Sequence, residues 1–188
     1  MLEKNRTYII DNKHLTPHET VNIPVSLFKS MQGKYFVGQT EALWVGNGSN
    51  GWAGLVNPCN SGVDLYANVF TISNFSDDYL IAEIWLNTNF PEKSKTSHKV
   101  SPTNTALKLH TNNKVNIRFV ESTTQAPKDG VNVYERIVPP KTTLVGEEDG
   151  KFIEPPGGNY TLVIKSLNSK LVLDKVIVAF GWWEKSSC

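Results

Sequence analysis

Val63-Asp-Leu-Tyr-Ala-Asn-Val-Phe-Thr-Ile-Ser-Asn74, then Phe-Ser-Asp-Asp, then Tyr79-Leu-Ile-Ala-Glu-Ile-Trp-Leu-Asn87, decides the fold class of this chain. Two runs rich in β-branched and aromatic residues flank a polar turn, which is the signature of paired strands. Strict alternation places Tyr66, Asn68, Phe70, Ile72 and Asn74 on one face and Leu65, Ala67 and Val69 on the other. Apolar groups on both faces predict a central strand covered from both sides.

The pattern continues outward in both directions. Lys34–Gly38 and Glu41–Gly46 read as short strands, with Asn47-Gly-Ser-Asn-Gly51 as a tight reversal. Val115–Val120 and Val131–Val138 read as strands. Lys151–Glu154 and Asn159–Lys165 are strands joined by a Pro155-Pro-Gly-Gly158 turn. The closing run, Leu171–Trp183, is β-branched and aromatic enough to predict a strand with a bulge near Asp174. Thr20–Phe28 reads as a strand that Pro24 confines to an edge; alternatively, Ser26–Gln32 forms a helical turn ended by Gly33. Asn87–Thr111 reads as a long loop with short strands at Lys99-Val100 and Leu107–Leu109. Turns at roughly ten-residue spacing predict an all-β fold: a single-domain β-sandwich or jelly roll of about 8–11 mostly antiparallel strands. Residues 1–19 form its extended N-terminal arm and residues 20–188 the sandwich.

Length and composition narrow the function classes. A chain of 188 residues can bury a core without a disulfide or metal. With 19 Lys+Arg against 18 Asp+Glu, the net charge of +1 supplies no basic footprint, so no nucleic-acid partner is expected. No apolar run reaches about 18 residues, so no membrane span is expected. Met1–Ile10 has no signal-peptide pattern. The expectation is synthesis in the cytoplasm without a signal peptide, with a spore or cell surface reached only after release.

The search for chemistry returns no catalytic residue, no cofactor site and no metal site. His14, His18, His98 and His110 lie in polar loops, and Pro17 opposes a helix that would align the first two. No Gly-x-Ser-x-Gly elbow is present. The Gly46–Gly51 loop lacks the helix that a phosphate loop requires. Asp77-Asp78 and Glu147-Glu148-Asp149 read as solvated turn residues. Cys59, in a turn, and Cys188, the last residue, are inert thiols in one reading and an intersubunit disulfide in the other. The five tryptophans read chiefly as packing. Trp182 and Trp183 must face opposite ways, so one needs a second layer, a loop or a neighbour. Trp52 and Trp183 are the candidate contacts to a sugar or another subunit. Tyr8, Ile9 and Ile10 are the candidate assembly contacts in the arm.

Gln32-Gly-Lys-Tyr-Phe-Val-Gly-Gln39, Gly54-Leu-Val-Asn-Pro58, Ser61-Gly-Val63 with Asn68-Val-Phe-Thr-Ile72, and Ala179-Phe-Gly-Trp-Trp-Glu184 together carry a resemblance. They are similar to an uncharacterised family from spore-forming Gram-positive bacteria, over most of the chain. That resemblance implies no activity and no site residues. The strand layout also resembles single-domain jelly rolls that assemble into spore appendages and surface fibres. Such subunits carry several cysteines near a flexible arm, whereas only Cys59 and Cys188 are available here. The expected function is a non-enzymatic structural protein that associates with copies of itself into a fibre, lattice or ring. The alternative is a carbohydrate-binding module that takes a surface glycan on exposed Trp and Tyr.

Overall fold

The computed structural model describes residues 22–108, 112–167 and 172–187. One helix, α1 (Val25–Met31), precedes twelve strands. These are β1 (Tyr35–Gln39), β2 (Leu43–Val45), β3 (Asn50–Val56), β4 (Val63–Asn74), β5 (Leu80–Leu86), β6 (Lys95–Thr96), β7 (Val100–Pro102), β8 (Asn116–Thr123), β9 (Val131–Val138), β10 (Thr143–Glu154), β11 (Asn159–Ser166) and β12 (Asp174–Ser186). The expected arm, with Tyr8, Ile9 and Ile10, lies outside the described residues.

Eight strands form a jelly roll. Antiparallel pairing joins β1 to β12, β3 to β11, β4 to β10 and β5 to β9. The first strand thus meets the last, the second meets the seventh, and so on inward, as in a long hairpin wrapped on itself. The result is two sheets, β10-β4-β12-β1-β7 with β2 also on β12, and β6-β8-β3-β11-β5-β9. Their inner faces enclose one apolar core that includes Phe36, Leu55, Phe70, Ile84, Phe119 and Trp182. Burying each such side chain contributes roughly 1.5–3 kcal/mol.

The deciding strand carries an irregularity that alternation alone does not reveal. Gly181 of β12 faces Val69, but Trp182 faces Ala67, so Asn68 is an extra residue in β4. A bulge reverses which parity faces inward. Leu65 and Ala67 therefore face the core before it, and Phe70, Ile72 and Asn74 after it. The expected grouping of Tyr66 with Phe70 and Ile72 is wrong for this reason. The bulge expected near Asp174 instead sits opposite Gly181 and Trp182. Asn68 donates to the Tyr35 hydroxyl at 2.8 Å, which holds the bulge on the outer face.

The segment around Pro24 is helical, so the strand reading of 20–28 fails. Phe28 N–H reaches Pro24 C=O at 3.0 Å, and Gly33 ends the helix with φ of 69°. Residues 87–111 do contribute short strands, β6 and β7, although Leu107 and Lys108 are not in one.

This insertion makes the two sides of the sandwich unlike each other. On one side the sheets end in β6, two residues long, and β7, three residues long and closed by Pro102. Short strands and proline blunt an edge. On the other side they end in β9 and β10, eight and twelve residues long. β9 has an extra residue, Val133, between the pairs Tyr134–Ile84 and Asn132–Trp85, and it carries the charged Glu135 and Arg136, with Arg136 lying 4.4 Å over the Tyr134 ring. Thr143–Glu147 of β10 runs in regular register along β4 and has no neighbour on its other side among the described residues.

Candidate assembly surface

An apolar trough lies on the outer face of the first sheet. β12 supplies its floor with Ala179 and Gly181, β1 supplies Val37, and β4 supplies Val69 and Thr71. His98 and Lys99 stand at one rim, and the volume is about 610 Å³. The depth comes from the small floor residues. A Cβ on Gly181 would lie 2.6 Å from the Tyr35 hydroxyl and 2.8 Å from Val69 Cγ1, so a larger residue cannot sit there.

Behind the trough stands an aromatic stack. Trp183 lies 5.4 Å from Tyr66 and 6.4 Å from Tyr35, ring centre to ring centre. Its other cover is the irregular stretch of β10 between Glu147 and Phe152, where Gly150 approaches the indole. Trp182 faces inward against Phe36 at 5.7 Å, and its Nε1 donates to Glu184 Oε1 at 3.1 Å. Glu184 also accepts from the backbone N–H groups of Lys114 and Val115. The closing Trp-Trp-Glu thus joins core, outer face and the start of β8. The opposite orientation of the two indoles is as expected, and Trp183 finds its cover within its own chain.

The candidate contacts Trp52 and Trp183 are therefore corrected. They are 0% and 5% exposed, so neither offers a face to a sugar or a neighbour. Trp52 points to the outer face of the second sheet, where Phe90 packs against it at 5.7 Å. Arg118 in turn covers Phe90 at 5.6 Å. Edge-on packing against Phe90 under the 88–94 loop is the physical reason: that loop supplies the second layer which a sheet-surface indole needs. Cys59 is exposed, in keeping with its turn, whereas Cys188 lies outside the described residues. His98 is exposed at the trough rim; His14, His18 and His110 lie outside the described residues. Among the described residues no group of His, Cys, Asp and Glu is arranged to hold a metal ion. No helix among them is long and apolar enough to cross a membrane.

Two acidic residues have environments that their sequence context did not suggest. Glu148 is buried, and the Tyr160 hydroxyl donates to it at 3.3 Å. Burial, reinforced by the Glu148 carboxylate, pushes the Tyr160 hydroxyl well above the usual tyrosine range. Glu154 closes β10 at one end of the sandwich, within a polar cluster. There Asn57 Nδ2 donates to the Glu154 carbonyl at 3.0 Å, and Asn159 N–H donates to Asn87 Oδ1 at 3.0 Å. Burial raises the Glu154 carboxyl from 4.5 to about 7, against the opposing hydrogen bond from Asn87.

Sequence reasoning also missed the surface of α1. Val25, Leu27, Phe28 and Met31 are all exposed, and the helix has no buried residue. The spacing of these residues could have flagged an apolar helix face, because positions 25, 28 and 31 fall in line on a helix but would be split between the faces of a strand.

A family model described as a family of unknown function (DUF6143) matches residues 6–188. The chain belongs to this family. No curated protein and no solved structure matches it. Membership in DUF6143 brings no activity with it, so function is argued from the surfaces above.

Proposed function

We propose that this protein is a non-enzymatic structural subunit that associates with copies of itself into a fibre, lattice or ring. The observation that supports this most is the open edge of β10, Thr143–Glu147, next to exposed Val145 and Ile153. A regular edge offers unpaired N–H and C=O groups to any extended segment that approaches. The opposite edges are short and blunted, so the exposure is one-sided. Thr7–Ile10 is a fitting strand donor by composition. A net charge of +1 leaves little repulsion between copies. The exposure of Cys59 supports a latch role for it, through Cys188 of another copy. A spore or cell surface is the setting proposed for the assembly.

The glycan-binding alternative loses its main support, because its two candidate rings are buried. Electron microscopy and light scattering of the full chain, with and without reductant, test the proposal. Large particles that vanish when residues 1–19 are deleted are the expected result. Assembly that persists unchanged after the deletion refutes the role of the arm, and a monomer at every concentration refutes self-association.

A further inference from the structure

Resting on the self-association reading above, we propose that the apolar side of α1 docks into the outer-face trough of a second copy of this chain, so that copies join head-to-tail. The helix is the first half of the case. It has seven residues, no side-chain cap and no buried residue. Isolated helices this short do not hold together in water, so tertiary contacts must maintain them. Among the described residues α1 has few: Thr103 Oγ1 donates to Ser30 Oγ at 2.8 Å, and Gly33 turns the chain into β1. Meanwhile Phe28 is 46% exposed and Met31 58%. Val25, Phe28 and Met31 recur every three residues, and Leu27 pairs with Met31 at a spacing of four, which groups them into a short apolar ridge.

The trough is the second half. Val37 and Val69 flank a floor of Ala179 and Gly181, and no residue of α1 lines it. A volume of about 610 Å³ accepts a projecting ridge of side chains better than it accepts a flat sheet. One chain thus carries both a ridge and a separate hollow of matching apolar chemistry. A contact between two different surfaces is heterologous. It leaves one ridge and one hollow unused at the ends of a dimer, so growth continues to a ring or a filament.

The trough spans β1, β12 and β4, and β10 is the next strand beyond β4, so a docked helix would lie near the open β10 edge of the same acceptor.

The test uses two full-length variants, Phe28→Lys to spoil the ridge and Ala179→Glu to spoil the hollow. Both sites are at least partly exposed, so both variants should fold, as circular dichroism would verify; Thr71→Lys replaces the second if it does not. Sedimentation velocity should show each variant alone associating roughly 30-fold more weakly than the parent, or worse. An equimolar mixture should form a discrete one-to-one dimer that does not grow, since each variant keeps the half that the other lacks. Assembly of both single variants at parental strength overturns the docking while leaving β10-edge association standing. A mixture that stays monomeric also overturns it. A parent chain that is monomeric throughout removes the self-association reading, and the docking with it.

Discussion

Replacing Glu154 by Gln should make the protein more stable at alkaline pH and leave it unchanged in acid. Glu154 is 3% exposed, and burial moves its carboxyl from 4.5 to about 7 in the folded chain. A raised carboxyl means that the folded state holds a proton which the unfolded state has already released. Stability from this group is therefore full below the unfolded value of 4.5 and declines as pH rises through about 7. The rise from 4.5 to about 7 corresponds to about 3.5 kcal/mol, since a tenfold change in proton affinity is worth about 1.4 kcal/mol. Glutamine resembles the protonated acid at every pH and keeps an oxygen for the Asn87 amide. Urea denaturation of both proteins at pH 4.5, 6, 7 and 8.5 measures the effect. Taking the variant minus the parent cancels every other titrating group. The difference should be near zero at pH 4.5 and approach about 3.5 kcal/mol at pH 8.5. A difference that stays flat across the series would refute the reasoning, and one that grows toward acid would reverse its sign.

Gly150→Ala should cost roughly 2–4 kcal/mol, combining left-handed backbone strain with overpacking. Its φ is 72°, and the new Cβ would fall 2.0 Å from Trp183 Cη2, so thermal melting should drop together with a red shift of tryptophan emission. Trp52→Ala should cost about 3–5 kcal/mol in urea denaturation, as loss of a buried indole under Phe90 does. Its binding to polysaccharides should match the parent's, and a selective loss of glycan binding in a folded variant would restore the platform role. Cys59→Ser should abolish any reductant-sensitive oligomer on a non-reducing gel, because the thiol is exposed and available.

The fold was legible because its signal is local and repeated. Runs such as Tyr79–Asn87 and Val131–Val138 combine β propensity with bounding turns, and both became strands, β5 and β9. The single extra residue at Asn68 was not legible, because a bulge depends on what β12 and β10 do opposite it. One unread bulge was enough to misassign Tyr66, Phe70 and Ile72 between the faces. The burial of Trp52 was hidden for a similar reason: its cover, Phe90, comes from a loop 38 positions later in the sequence. The orientation of Trp182 and Trp183 was legible from pleating alone. The trough was not, since a hollow exists only when Val37, Val69, Ala179 and Gly181 from three strands are side by side. Exposed α1 was half legible, with Gly33 marking its end and Pro24 drawing the eye toward an edge strand.

Hydrogen–deuterium exchange on the dilute and the assembled full chain tests the central claim most directly. Outward-facing backbone N–H groups of Thr143–Glu147 should exchange fast in dilute protein and become protected on assembly, while the blunted β6 edge stays as it was. Unchanged exchange along β10 in an assembled sample would contradict the claim that this edge is where copies meet.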